Sequence, residues 1–166
     1  MISLLPDGIF TVAERVVAQN IAAGRKLTLA ESCTGGLVSA ALTEIAGASK
    51  VFERGFVTYS NDAKTKLLGV PSDLLETFGA VSIAVAWSMA QGALAACDAD
   101  VAVAISGVAG PDGGTERKPV GTVVFARAIR GQIDDEPTAE LRLFSCSSRA
   151  EVRYHATLCA LELLLP

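Results

Sequence analysis

Val101-Ala102-Val103-Ala104-Ile105 is apolar at every position, so neither face of the extended segment it forms tolerates water. A strand of this kind belongs in the middle of a sheet covered by helices on both sides. The flanking sequence supplies those helices. Ser82 to Cys97 places Val85, Ala86, Met89, Ala90, Ala93, Leu94 and Cys97 on a helical stripe, and Thr11 to Ala23 does the same and stops at Gly24. Lys26 to Ala30 reads as a second buried strand, Thr34 to Ile45 as a helix closed by Gly47, and Phe56 to Tyr59 as a third strand. Two short helices follow, from Asn61 to Leu68 and from Ser72 to Phe78, separated at Pro71. Gly121 to Ile129 and Thr138 to Ser145 are strand-like runs joined by the polar stretch Arg130 to Pro137, the pattern of an antiparallel hairpin, and Arg149 to Leu165 ends the chain as a helix. The expectation is an α/β fold: one three-layer α/β/α sandwich over residues 1–166, with a mixed, mostly parallel sheet of about five strands and an antiparallel hairpin in its C-terminal half.

Composition narrows the function. With 51% hydrophobic and 19% charged residues in 166, the chain can bury a sizeable core and is not disordered. No apolar run approaches the roughly 18 residues that a membrane span needs, and Met1 to Asp7 lacks the basic and apolar blocks of a secretion signal, so a cytoplasmic protein without membrane attachment is expected. A net charge of -4 with no lysine or arginine cluster argues against nucleic acid as a partner. The apolar composition is compatible with a homo-oligomer.

The chemistry concentrates at Ala30-Glu31-Ser32-Cys33-Thr34-Gly35-Gly36, where a strand turns into a helix. Such an elbow presents unpaired backbone N–H groups and the positive end of a helix, able to hold a phosphate or a developing oxyanion, and the glycines admit a ligand close to the backbone. Ser32 is the candidate nucleophile. Cys33 is the alternative, since a helix N-terminus can lower a thiol pKa, but a cysteine nucleophile normally works with histidine. The sole histidine, His155, shares a helix face with Glu151 and Glu162 and reads as a surface residue. Cys33, Cys97, Cys146 and Cys159 form no C-x-x-C pair, which leaves no zinc or thioredoxin-like motif; no metal or cofactor is expected.

Gly107-Val108-Ala109-Gly110-Pro111-Asp112-Gly113-Gly114 follows the central strand at the edge where open α/β sheets bind ligands, although it matches neither a dinucleotide fingerprint nor a Walker A loop. Ser106 precedes it with a hydroxyl. Tyr59 to Lys66 carries a phenol and two amines, Lys64 and Lys66, toward the same edge. A serine hydrolase without histidine can use lysine as its base. That amine must be neutral, and bringing a lysine from about 10.4 to neutral pH corresponds to roughly 4 kcal/mol of burial or of a neighbouring cation. Arg149 and Arg153 open the last helix one turn apart and could grip a phosphate.

Four segments in order, the Ala30–Gly36 elbow, Phe52-Glu53-Arg54-Gly55-Phe56-Val57-Thr58-Tyr59-Ser60-Asn61, the Gly107–Gly114 loop and Lys118-Pro119-Val120-Gly121-Thr122, closely resemble the CinA C-terminal domain family over nearly the whole chain. That family includes nicotinamide-nucleotide amidohydrolases, which convert nicotinamide mononucleotide to nicotinic acid mononucleotide and ammonia, and the resemblance implies this activity in a stand-alone form. It further implies Ser32 as nucleophile with Lys64, rather than Lys66, and Tyr59 beside it. The chain has Ser106 where the family often has threonine, and Ser147-Ser148-Arg149 where it often has Gly-Asp-Arg.

The expected mechanism has Ser32 attacking the carboxamide carbon while Lys64 accepts and returns the proton, with Tyr59 orienting either Lys64 or the leaving amine. Backbone N–H groups of Cys33, Thr34, Gly35 and Gly36 are oxyanion candidates; Ser106, Gly110, Gly113, Gly114 and Arg149 are candidates for ribose and phosphate contacts. Two rivals stand beside it: a non-catalytic nucleotide-binding module acting through a protein partner in DNA uptake or damage responses, and an amidohydrolase using Cys33.

Overall fold

The computed structural model describes residues 4–132 and 138–166. Twelve segments alternate along it: α1 (Asp7–Ala23), β1 (Leu27–Glu31), α2 (Leu37–Thr43), a 3₁₀ turn (Ala48–Lys50), β2 (Phe52–Val57), α3 (Asn61–Leu68), α4 (Ser72–Phe78), α5 (Ile83–Ala95), β3 (Val101–Gly107), β4 (Thr122–Ile129), β5 (Ala139–Leu143) and α6 (Arg149–Leu163). The five strands form one sheet in the order β2-β1-β3-β4-β5. β1 pairs in parallel with β2 and β3, whereas β4 runs antiparallel to both β3 and β5, so the sheet is mixed as expected.

The alternating side chains of β3 explain the layering. Val101, Val103 and Ile105 point with Leu27, Leu29, Val123 and Phe125 into a core closed by α1, α2 and α6. Ala102 and Ala104 face the other way with Ala30, Val124, Ala126 and Ala128, under α5. The alanine face lets α5 lie close, through Ala86, Met89, Ala90 and Ala93, all without solvent exposure. Each residue from Val101 to Ile105 thus buries its side chain on one face or the other, which is why that run carries no polar position.

Three boundaries differ by three residues or more from those read from the sequence. α2 begins at Leu37, three residues later than expected, because Gly35 and Gly36 hold φ angles of 61° and 95°, left-handed values that a right-handed helix cannot include. β2 begins at Phe52 rather than Phe56. It is an edge strand whose Glu53, Arg54 and Gly55 are exposed, so it shows no apolar run to reveal it. α1 starts at Asp7 behind Pro6, and Ile9 extends its buried stripe of Ala13, Val16 and Val17. The hairpin β4–β5 forms as expected; residues 133–137 of its connection lie outside the described residues. Among the described residues no helix is long and apolar enough to cross a membrane.

Candidate active site

β1, β3 and the end of β2 deliver their carboxyl ends to one edge, and the site lies there. Ser32 directly follows β1; its amide donates to Ile105 O at 2.9 Å, continuing the β1–β3 ladder by one residue and fixing where the side chain emerges. The turn then closes through Gly35 N to Ser32 O at 3.0 Å. Ser32 is 8% exposed and faces a pocket of ≈ 180 Å³ lined by Cys33, Tyr59, Asn61, Lys64, Ala80, Val81, Ser106, Gly107, Ala109 and Arg149.

α3 brings in the base. Ser60 caps this helix, its hydroxyl accepting from Ala63 N at 3.0 Å, a contact of the kind that is worth about 1 kcal/mol. Lys64 and Leu68, four residues apart, form its buried face, while Lys66 points outward to pair with Asp62 at 3.0 Å. Lys64 is only 1% exposed. Its Nζ lies 3.2 Å from Ser32 Oγ and donates to Thr58 O at 2.9 Å and to Tyr59 O at 3.4 Å. Among the described residues no carboxylate pairs with it. Burial, which penalises the ammonium form, therefore lowers its pKa below the ordinary lysine value. The arrangement is a buried amine against a hydroxyl, with the charge that usually accompanies such an amine left unbalanced.

Cys33 is a different case. Burial is the largest influence on its thiol and pushes its pKa up to about 11, outweighing the depressing effect of Arg153 and Arg149. At neutral pH it is a protonated, packed side chain.

The tyrosine phenol does not reach Lys64. Tyr59 touches the amine through its backbone carbonyl, while its hydroxyl accepts from Arg149 at 2.9 Å. Arg149 also donates to Gly110 O at 2.7 Å, so one guanidinium ties β2's exit to the glycine-rich loop over the pocket. Ser106 lines the same pocket; its hydroxyl donates to Ala80 O at 2.7 Å and holds the link between α4 and α5 as a wall. Gly113 and Gly114 are exposed and are not part of the pocket lining. Gly110 is buried, and a side chain there would collide with Val120.

The four elbow amides are not equivalent. Gly35 N is spent on Ser32 O, and Gly36 N donates to the Glu31 carboxylate at 3.0 Å. The Cys33 and Thr34 amides have no backbone or carboxylate acceptor among the described residues. Glu31, which the elbow motif contains without an evident role, is a structural anchor of this turn. Here its fully buried carboxylate also accepts from Val38 N at 3.2 Å and from Ser39 N and Oγ at 2.9 and 2.7 Å. Arg153, read as a possible phosphate grip, donates instead to Cys33 O and Thr34 O at 3.2 and 3.1 Å. His155 is exposed and stacks on Phe144, as a surface residue would.

Residues 9–166 match the family model of the CinA C-terminal domain. The chain belongs to that family. The nicotinamide-nucleotide amidohydrolase PncC of Escherichia coli K12 is 52% identical over 154 residues, covering 92% of this chain and 90% of that protein. A protein of Symbiobacterium thermophilum named for competence-damage induction is 62% identical over 109 residues, 66% of this chain. The chain spans 26% of that longer relative's length. Among solved structures, the competence/damage inducible protein CihA of Agrobacterium tumefaciens superposes with a TM-score of 0.93 at 45% identity, over 98% of this chain and 97% of that one. Within the CinA C-terminal domain of this chain, the replacement at Ser147-Ser148 preserves the start of α6: Ser148 Oγ accepts from Glu151 N at 3.2 Å, and Glu151 accepts from Ser147 N at 2.8 Å. Arg149 therefore stands at the first helical position, aimed at the pocket, without needing the aspartate.

Proposed function

We propose that this chain is an amidohydrolase that deamidates nicotinamide mononucleotide to nicotinate mononucleotide and ammonia, with Ser32 as nucleophile and Lys64 as base. The observation that carries this reading is the 3.2 Å approach of buried, carboxylate-free Lys64 Nζ to Ser32 Oγ inside a pocket. A nucleotide-binding module has no use for an amine held at the cost of desolvation beside a hydroxyl; a hydrolase does. The identity to the E. coli amidohydrolase over nine-tenths of its length supports the substrate.

In this mechanism neutral Lys64 takes the Ser32 proton as Oγ attacks the carboxamide carbon. The tetrahedral oxyanion is held by the free Cys33 amide, with Thr34 N next in the same turn. Protonated Lys64 then delivers its proton to the leaving nitrogen, ammonia departs, and a water activated by the same amine releases the acid. A pocket of ≈ 180 Å³ is smaller than the ~300 Å³ at which sites for drug-sized ligands begin, so it takes the pyridine carboxamide while ribose and phosphate lie across the rim near Arg149 and the Gly110 loop.

The test is to incubate the purified protein with nicotinamide mononucleotide and measure ammonia. Turnover that disappears in both Ser32→Ala and Lys64→Ala is expected. Binding without ammonia release from the unmodified protein would leave the non-catalytic module as the better reading.

A further inference from the structure

Glu31 and Arg153 take no part in the proton transfers above, yet both grip the turn that carries the nucleophile. In a trans peptide the C=O and N–H of one unit point in opposite directions, so whatever fixes a carbonyl also aims the next amide. Arg153 holds the carbonyls of Cys33 and Thr34 with two nitrogens of its planar fork. The first contact turns Thr34 N–H away from α6. The second is consistent with Gly35 N–H turning back to Ser32 O, and that bond in turn aims Cys33 N–H away from the inside of the turn.

Glu31 works on the following residues. Its carboxylate occupies the donors of Gly36, Val38 and Ser39, which are the ones a helix N-terminus would otherwise offer to a ligand, and no cation neutralises it among the described residues. The start of α2 is therefore already filled by the protein's own anion. Gly55 on neighbouring β2 makes this possible: its φ is not left-handed, so its backbone does not require glycine, but a Cβ there would stand 2.5 Å from Ser39 Oγ. Ser39 reaches Glu31 at 2.7 Å because that space is empty.

We propose that Arg153 is a positioning residue that presets the orientation of the Cys33 and Thr34 peptides, so that their N–H groups are aimed before any oxyanion forms, while Glu31 anchors the far end of the same turn at Gly36 and the start of α2. The inference rests on the amidohydrolase reading for its catalytic consequence, but the clamp itself can be tested without turnover.

The experiment compares Arg153→Lys and Glu31→Gln with the unmodified protein by steady-state kinetics on nicotinamide mononucleotide and by NMR amide exchange. Arg153→Lys keeps the charge and loses the fork; Arg153 lies half-buried on the surface of α6, so this variant folds even where Glu31→Gln does not. We expect kcat to fall about tenfold in Arg153→Lys and up to about a hundredfold in Glu31→Gln, with KM changed by less than about threefold, because the lost contacts serve the transition state. Exchange at Gly35 and Gly36 should accelerate at least about tenfold while Val103 in β3 stays protected. Unchanged kcat in Arg153→Lys overturns the proposal, as does a loss of kcat without faster exchange at the elbow, since the arginine would then act on substrate directly. If the unmodified protein releases no ammonia, it is the amidohydrolase reading that fails, and the exchange data alone judge the clamp.

Discussion

Lys64 Nζ stands 3.2 Å from Ser32 Oγ with two backbone carbonyls, Thr58 O and Tyr59 O, as its other partners. Carbonyls solvate an ammonium poorly compared with water or a carboxylate, so this residue opposes folding in its charged form. Lys64→Met is accordingly expected to abolish ammonia release, by at least about a thousandfold, since no other amine or imidazole among the described residues lines the pocket. Its unfolding free energy should stay within about 1 kcal/mol of the unmodified protein or exceed it, because loss of an unfavourable burial offsets the orphaned carbonyls. Thermal unfolding beside the activity assay checks both halves.

The lowered pKa of Lys64 sets two pH dependences. Catalysis needs the neutral amine, so kcat rises with pH through an apparent pKa below the ordinary lysine value of 10.5. Stability moves in the same direction. Between the lowered folded value and 10.5, the unfolded chain binds the proton that the folded chain has released, so unfolding becomes harder as pH rises through that window. Below the window the full penalty applies. Denaturant titrations of the unmodified protein and Lys64→Met should therefore differ most, in favour of Met, at pH values below the lowered pKa and converge toward pH 10.5. A constant difference across the range would mean that Lys64 titrates normally.

Cys33 adjoins the nucleophile and invites thiol reagents, but its pKa of about 11 leaves almost no thiolate at pH 7.5. Activity should survive Cys33→Ala with less than about a threefold change, at a stability cost of about 1 kcal/mol for the vacated volume. Treatment with iodoacetamide at pH 7.5 should leave turnover intact. Loss of more than tenfold in Cys33→Ala would restore the cysteine reading.

How the sequence encodes this site varies from residue to residue. The elbow at Ser32 was legible because a strand pattern, two glycines and a helix pattern meet there. The choice between Lys64 and Lys66 was legible in principle as well: Lys64 stands four residues before Leu68 and so shares its buried face, whereas Lys66 stands four residues after Asp62 and pairs with it. Glu31 and Arg153 escaped because their meaning depends on contacts that periodicity does not encode. Glu31 reads as one more strand residue until α2 folds back over it, and Arg153 meets Cys33 across 120 residues of chain. Edge strand β2 was half missed for a related reason: a strand with one covered neighbour and an exposed outer side carries too few apolar positions to announce itself.

Gly92 shows how distant packing reaches the site. It lies in α5, and a Cβ there would overlap the carbonyl of Leu68, the last residue of the helix that carries Lys64. Gly92→Ala must push α3 away from α5, a backbone displacement that overpacking of this kind makes cost about 1–3 kcal/mol. Because Lys64 is one turn from Leu68, the same displacement should lengthen its approach to Ser32 and reduce kcat by about tenfold or more. Gly24 offers the matching control: its φ of 64° makes alanine costly by about 1–2 kcal/mol, yet a Cβ there meets nothing within 4 Å and the residue is at the end of α1, away from the pocket. Gly24→Ala and Gly92→Ala should therefore show similar losses of Tm, with activity per folded molecule falling only in the second. Equal activity in the two would mean that α3 holds Lys64 in place independently of its seat on α5.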